Sequence, residues 1–243
     1  MGAIPAPVME IAPDSAYVMA MTVSFAPFDA VVFDLDGTLL DTELVFREIV
    51  FSVTQELGFT MTDDVHMRMV GSSHEATSKL LVEAYGVSFP YAMFDEKCRF
   101  GMKSRMAIAA VPVKPGAIEL IDELRSRGIP AAIATSSRRQ HVETHLGAAG
   151  LLEHFQTIVT RDDVTYPKPH PEPYLMAADR LQVDPRRCIA FEDSHAGVRA
   201  AHAAGMQTVM VPDLVHPTDE IEALCVAVLE SLAHVPGHVW PKG

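Results

Sequence analysis

The chain has 243 residues, of which 49% are hydrophobic and 21% charged, and its formal net charge is −13. This composition is that of a globular protein with a sizeable core, built as one large domain or as a core with an insertion. The acidity, without any basic stretch, argues against a nucleic-acid or anionic-membrane partner. No run is long and apolar enough to span a membrane, and three separated cysteines without a CxxC pair indicate a cytoplasmic protein with reduced thiols.

Residues 1–28 are predicted to form a tail. They contain four prolines, no Lys or Arg and no clear hydrophobic periodicity. Without basic residues the stretch lacks the charged start of a signal peptide. Met21 is an alternative natural start, which would make residues 1–20 an upstream extension.

The first predicted strand covers residues 29–35 and runs directly into acidic residues, in the sequence VVFDLDGTLLDTE (31–43). Asp34 and Asp36 are two positions apart, so their side chains point the same way in an extended segment. Two carboxylates about 5 Å apart repel by about 3 kcal/mol at an effective dielectric constant of about 20. Burial at a strand end adds a desolvation cost. A lone Asp here would be a turn or helix-capping residue, but that interpretation does not explain the second acid.

Residues 43–110 are predicted to contain helices and no strand. The first helix carries apolar residues at helical spacing and is closed by Gly58. The second opens with a capping box formed by Ser72 and Glu75. The third runs from Met93 to about Ile108. This all-helical block is therefore predicted to be an insertion, and the two crossings into and out of it are expected to act as hinges.

After VPVKPG (111–116) the rhythm changes to strands alternating with helices, which predicts a parallel sheet with helices on both faces. The predicted strands are 129–136, 157–160, 188–193 and 207–211; the predicted helices are 117–127, 138–146, 171–181 and 195–204. The fold class is thus α/β, a Rossmann-like core formed by residues 29–42 and 111–243 around the helical insertion. Ligands of such sheets bind at the carboxyl ends of the strands.

Four motifs at these predicted strand ends carry a family resemblance. DLDGTLLDTE, IATSS, KPHPEP and FEDSHAG follow one another in that order. Together they resemble the haloacid dehalogenase-like superfamily of phosphotransferases, over residues 29–212. The resemblance implies Mg²⁺ as cofactor, an aspartyl-phosphate intermediate, and a role as cap for the helical insertion (residues 43–110).

Four acids acquire expected roles from this resemblance. Asp34 is the expected nucleophile, and Asp36 the general acid and base that turns its backbone carbonyl towards the metal. Asp193 is the expected direct Mg²⁺ ligand, with Glu192 holding a metal-bound water. On its own the Glu192–Asp193 pair would only be acids favoured by the dipole of the following helix. A bound cation and a phosphoryl group would explain why Asp34 and Asp36 stay close.

Three further residues are expected to bind phosphate. The hydroxyl of Thr135 and the backbone N–H of Ser136 follow a strand and could hold phosphoryl oxygens. Lys168 would neutralise phosphate and Asp34. The alternatives are that Thr135 is a helix N-cap and that Lys168 is a solvated loop lysine.

Sequence differences from particular subfamilies narrow the choice among the reactions of this superfamily. β-Phosphoglucomutases of this superfamily usually carry a His where Phe46 stands and an Arg where His74 stands. The dehalogenases lack the second Asp and the metal-binding acids, and the phosphonatases replace Asp36 by a small residue. The favoured function is a Mg²⁺-dependent phosphatase of a small phosphorylated metabolite, a sugar phosphate above all, acting as a monomer or small homo-oligomer. A β-phosphoglucomutase-like phosphotransferase and a non-catalytic binding module are the alternatives.

Overall fold

A computed structural model describes residues 25–240, except positions 71, 73, 109 and 110. Its centre is a parallel sheet of strands in the order β3-β2-β1-β4-β5-β6. The strands are β1 (Ala30–Phe33), β2 (Ala131–Ala134), β3 (Thr157–Val159), β4 (Cys188–Glu192), β5 (Gln207–Met210) and β6 (Ala227–Val228). The predicted α/β fold with a Rossmann-like parallel sheet is confirmed. The two-residue strand β6, at one edge, was not predicted.

The helices fall into a block after β1 and a set alternating with the later strands. They are α1 (Thr42–Glu56), α2 (Asp63–Met69), α3 (His74–Tyr85), α4 (Tyr91–Ile108), α5 (Ala117–Ser126), α6 (Arg139–Ala148), α7 (Glu172–Leu181), α8 (His195–Ala203), α9 (Asp219–Glu222) and α10 (Val235–Val239). Strand β1 is buried on both faces, which explains its uninterrupted apolar run. Val31 and Phe33 pack into one apolar layer with α5 and α6, and Ala30 and Val32 into another with α7 and α8.

Helices α1–α4 have an apolar cluster of their own, which includes Val50, Leu81 and Phe94. Within the described part of residues 42–108 there is no strand. Helix α2 was missed because seven residues are too few to show a clear period. The capping role of Ser72 is wrong: α3 begins two residues later, and the Ser72 hydroxyl donates to the carbonyl of Arg68 at 3.0 Å.

The two chain segments that connect core and cap are joined by backbone hydrogen bonds. Leu40 and Val113 form an antiparallel bridge. The N–H of Asp41 donates to the carbonyl of Pro112, and the N–H of Lys114 donates to the carbonyl of Leu39, each at 2.8 Å. A paired double crossing gives the cap a defined point of attachment. Its behaviour as a hinge stays a prediction.

The predicted tail needs one correction. Residues 1–24 lie outside the described residues, but Ala26 exchanges backbone hydrogen bonds with the side-chain amide of Gln207 at 2.7 and 3.1 Å. The ring of Phe28 lies 6.2 Å from that of Trp240. Residues 25–28 therefore pack against the α/β core and are not part of a tail. The local sequence does not reveal this packing, because the contacts are made with distant parts of the chain. Among the described helices, none combines the length and apolarity needed to cross a bilayer.

Candidate active site

The loop after β1 carries the first acidic pair. The N–H of Asp34 donates to the carbonyl of Phe191 at 2.9 Å, so the backbone ladder with β4 continues into the loop and fixes the buried Asp34. Gly37 has a φ of +86°, which a residue with a Cβ adopts only under strain. A Cβ at Gly37 would also collide with the carboxylate of Asp193. The glycine therefore lets the loops after β1 and β4 approach each other closely.

Three carboxylates converge where these loops meet. Oxygen atoms of Asp34, Glu192 and Asp193 all lie within 4.8 Å of one another. The carboxylate of Asp36 is outside this cluster and accepts a hydrogen bond from the Ser137 hydroxyl at 2.6 Å. This separation gives the two aspartates of the first motif different environments. That Asp36 turns its backbone carbonyl towards a metal stays a prediction.

Lys168 is the cation that enters the cluster. Its Nζ lies 2.6 Å from Oδ1 of Asp34 and 2.5 Å from Oε1 of Glu192, and its side chain is 4% exposed. The alternative of a solvated loop lysine does not fit this burial. Burial alone would lower the pKa of Lys168, but Asp34 and Glu192 raise it above its ordinary value, so the amine stays charged.

The electrostatics of Asp34 follow from the same neighbours. Burial is the largest influence and raises its pKa, Lys168 lowers it, and the charges of Glu192 and Asp36 raise it further. The pKa of Asp193 is also raised, first by burial and then by Glu192 and Asp34. Four carboxylates with one ammonium group leave a negative excess, which either protonation or a bound cation relieves.

Glu192 is saturated with protein donors. Its Oε1 accepts from Lys168 and from the Tyr174 hydroxyl at 2.7 Å, and its Oε2 accepts from the N–H groups of Asp193 and Ser194 and from the Ser194 hydroxyl, at 3.0–3.1 Å. A Cβ at Gly197 would collide with this carboxylate. The arrangement favours a positioning role for Glu192 over the expected hold on a metal-bound water, because its lone pairs are already used.

The polar residues of the loop after β2 differ in their burial. Thr135 is buried, accepts from the N–H of Ser137 at 3.0 Å and lies 3.5 Å from Oδ2 of Asp36, whereas Ser136 is exposed. The N-cap residue of α6 is Arg138, so Thr135 is not the cap of that helix. Sequence reasoning missed Ser137 and Tyr174. The adjacent serines in IATSS were a signal for the first, but nothing local marked the second.

The residues present fit Mg²⁺. Asp34 and Asp193 offer oxygen atoms, which this hard cation prefers; Asp34 is buried, Asp193 is partly buried, and both lie beside an excess of negative charge. The raised pKa values of Asp34 and Asp193 indicate the same need for a positive partner. We therefore take this edge of the sheet as the candidate metal and phosphate site.

Similar proteins identify the family. The haloacid dehalogenase-like hydrolase family matches residues 31–211. The chain belongs to this family. A phosphorylated carbohydrates phosphatase of Thermotoga maritima is 32% identical over 199 residues, covering 82% of this chain and 91% of that protein. A validoxylamine A 7'-phosphate phosphatase of Streptomyces hygroscopicus subsp. limoneus is 32% identical over 222 residues, covering 88% and 97%.

A solved structure agrees with these relatives. The family hydrolase of Deinococcus radiodurans R1, with bound phosphate and sodium, has a TM-score of 0.79 and 31% identity, and the match covers 90% of this chain and 100% of that one. The predicted membership and the prediction of a hydrolase of the haloacid dehalogenase-like family are confirmed. At the two cap positions where the sequence differs from the mutases, Phe46 is partly buried in the cap cluster, and Nδ1 of the exposed His74 lies 3.1 Å from the Tyr91 hydroxyl.

Proposed function

We propose that this chain is a Mg²⁺-dependent phosphatase that hydrolyses a small sugar phosphate through an aspartyl-phosphate on Asp34. The observation that carries the proposal is the division of labour between the two acids of the first motif. Asp34 lies beside Lys168 in the metal-fitting cluster, whereas Asp36 is held apart by Ser137. The relative that dephosphorylates carbohydrates supports the substrate class.

The first step transfers the phosphoryl group. A carboxylate oxygen of Asp34 attacks phosphorus while the bond from phosphorus to the leaving-group oxygen breaks. Asp36 gives its proton to that leaving oxygen, which departs as an alcohol. Lys168, charged and buried, lies against Oδ1 of Asp34 and holds the carboxylate in place while it stabilises nearby phosphoryl charge.

The second step regenerates the enzyme. Asp36, now ionised, takes a proton from a water molecule whose oxygen attacks phosphorus, and the bond from phosphorus to the Asp34 oxygen breaks. Inorganic phosphate leaves and Asp36 is protonated again. The hydroxyl of Ser137, 2.6 Å from Oδ2 of Asp36, keeps the acid oriented between the two steps. The hydroxyl of Thr135 and the N–H of Ser136 are proposed to bind phosphoryl oxygens.

A bound metal ion would balance the negative charge of the site. Mg²⁺ would be held by the carboxylates of Asp34 and Asp193 and the backbone carbonyl of Asp36, and when bound it would neutralise charge on the phosphoryl oxygens. Glu192 positions Lys168 and the Asp193 loop through its hydrogen bonds.

The test is phosphate release from p-nitrophenyl phosphate and a panel of sugar phosphates. Activity should disappear with a chelator and return with Mg²⁺, and it should produce free phosphate without a sugar isomer as product. Asp193→Asn should lose most activity, whereas the matched change at the exposed Asp122 of α5 should leave activity unchanged. Full activity in excess chelator would refute the metal dependence, and isomerisation of a sugar phosphate would favour the mutase alternative.

A further inference from the structure

The cap contains a cavity of about 210 Å³ that reaches the first turn of α1, the helix that follows the catalytic loop. It is lined by Glu43, Phe46, His66, Met69, Val70, Ser72 and Thr77. Glu43 lies in the first turn of α1, two residues after the loop ends at Asp41, whose side chain accepts from the N–H of Leu44 and begins that helix. Burial raises the pKa of Glu43, and the charges of Asp213 and Asp36 raise it further, so additional negative charge on this side of the cavity is disfavoured.

His66 is the unusual group in the wall of this cavity. It is 1% exposed, and its Nε2 has no hydrogen-bond partner among the described residues. Burial lowers the pKa of His66, and the nearby charge of Arg47 lowers it further, which keeps the imidazole neutral near pH 7. Buried polar atoms in folded proteins nearly always have partners. A hydroxyl group of a bound molecule would supply the missing partner.

The lining also lacks a positive charge. Among the described residues that line the cavity there is no Lys or Arg. The cations that influence Glu43 and His66 are already paired: Lys114 lies 2.7 Å from Asp213, and Arg47 lies 2.5 Å from Asp63. A second phosphate or a carboxylate on the substrate would therefore lie without a cationic partner near Glu43, which is unfavourable in a buried site.

We propose that this cavity receives the uncharged, hydroxyl-bearing part of the substrate, and that His66 forms a hydrogen bond with one of its hydroxyl groups. The substrate class is a monophosphate of a small neutral sugar or polyol. The volume supports a small leaving group, since pockets for drug-sized ligands are about 300–1,000 Å³. This inference rests on the proposed function, because it adds selectivity to the same phosphate-transfer site.

The first experiment tests charge selection. Values of kcat/KM would be measured with Mg²⁺ for hexose, pentose and polyol monophosphates, for the bisphosphate of the best of them, for phosphoglycolate, and for p-nitrophenyl phosphate. The best neutral monophosphate should exceed its bisphosphate and phosphoglycolate by at least about tenfold, because an unpaired charge in the cavity is disfavoured. Glu43→Gln should narrow that gap. A bisphosphate or phosphoglycolate used as well as the monophosphate would overturn the proposal.

The second experiment tests His66. His66→Leu should lower kcat/KM for the best polyol or sugar phosphate by about tenfold, mainly through KM, because one buried hydrogen bond is lost. His66→Gln, which keeps a polar group, should recover part of the loss. Thr54→Val is the matched control. Thr54 is equally buried in the cap but donates to the carbonyl of Val50 in its own helix, so this change should leave kcat/KM for the same substrate unaltered.

p-Nitrophenyl phosphate separates the two levels of the proposal, since it has no sugar hydroxyl for His66 to bind. Its kcat/KM should fall less in His66→Leu than that of the sugar phosphate, so the ratio of the two kcat/KM values should change. Absence of aryl phosphate hydrolysis in the wild-type enzyme would refute the proposed function itself. If wild type hydrolyses the aryl phosphate and His66→Leu prefers the sugar phosphate over the aryl phosphate as strongly as wild type does, only the role of His66 is refuted.

Discussion

The sheet edge and the cap cavity treat buried polar atoms in opposite ways. At the sheet edge Glu192 accepts from Lys168, Tyr174 and the turn after β4, so both carboxylate oxygens are used. In the cap cavity His66 is equally buried, and its Nε2 has no partner among the described residues. A fully satisfied network fixes positions, whereas an unsatisfied group gains when a ligand supplies its partner. The fold thus fixes the positions of the proposed catalytic residues, whereas the cap cavity has a polar atom that only a bound substrate would pair.

The largest expected effect comes from removing the nucleophile at the fixed site. Asp34→Asn should have no measurable turnover while keeping its fold, because the amide is nearly isosteric with the carboxylate and a poor nucleophile. Phosphate release and circular dichroism would check both parts. Asp122→Asn, on the exposed face of α5, is the matched control. Normal turnover by Asp34→Asn would mean that the nucleophile is assigned wrongly.

A smaller effect is expected at the second acid of the pair. Asp36→Asn should slow hydrolysis of the phosphoenzyme by about 10²- to 10⁴-fold, because no base activates the water. With an activated aryl phosphate, which needs little leaving-group protonation, the intermediate should accumulate. Intact-mass measurement should show one added phosphoryl group that maps to Asp34. A group found on Ser, Thr or His would contradict the assigned roles.

The comparison also explains what could be predicted from the sequence. Asp34, Glu192 and Asp193 lie at the ends of apolar strands, and parallel strands bring such ends to one edge, so their meeting could be foreseen. Lys168 required the resemblance, because its loop has no strand pattern.

Other features depend on contacts between distant parts of the chain. Tyr174 reaches Glu192 from α7, and His66 lies on the short helix α2, so no local spacing marked either residue. The same reason hid the packing of residues 25–28 and the edge strand β6. Periodicity finds elements and strand ends, whereas the partner of a single side chain is decided by tertiary structure.

Tyr174 tests whether the saturated network matters for catalysis. Tyr174→Phe keeps the ring and removes one of the five donors to Glu192, so Lys168 and Asp193 should be held less well. We expect kcat to fall by about tenfold, with little change in KM for substrate, because one hydrogen bond to a charged group is lost. Tyr166→Phe, on an exposed tyrosine of the preceding loop, is the control. Wild-type kcat in Tyr174→Phe would show that the network tolerates a missing donor.

The smallest effect on catalysis is expected at Asp163. Like Glu192 it accepts several hydrogen bonds from the protein, but it is not one of the proposed catalytic residues. Its carboxylate accepts from the N–H and hydroxyl of Thr160 and from Arg139 and Arg180, at 2.6–3.0 Å. Burial would raise its pKa, but these hydrogen bonds outweigh burial and hold the pKa well below its usual range.

Asp163→Asn should therefore lower the free energy of unfolding by about 2 kcal/mol near pH 7, as for hydrogen bonds to a charged group. Since the folded-state pKa is depressed, the stabilisation is complete above the unfolded pKa of about 3.9 and is lost as the pH falls below it. Urea unfolding should show a constant difference from wild type between pH 5 and 8 that shrinks below pH 4. The exposed Asp179→Asn is the control, and kcat should be unchanged in both. A large loss of kcat in Asp163→Asn would break the comparison, because a satisfied carboxylate remote from the reacting acids would then control the chemistry.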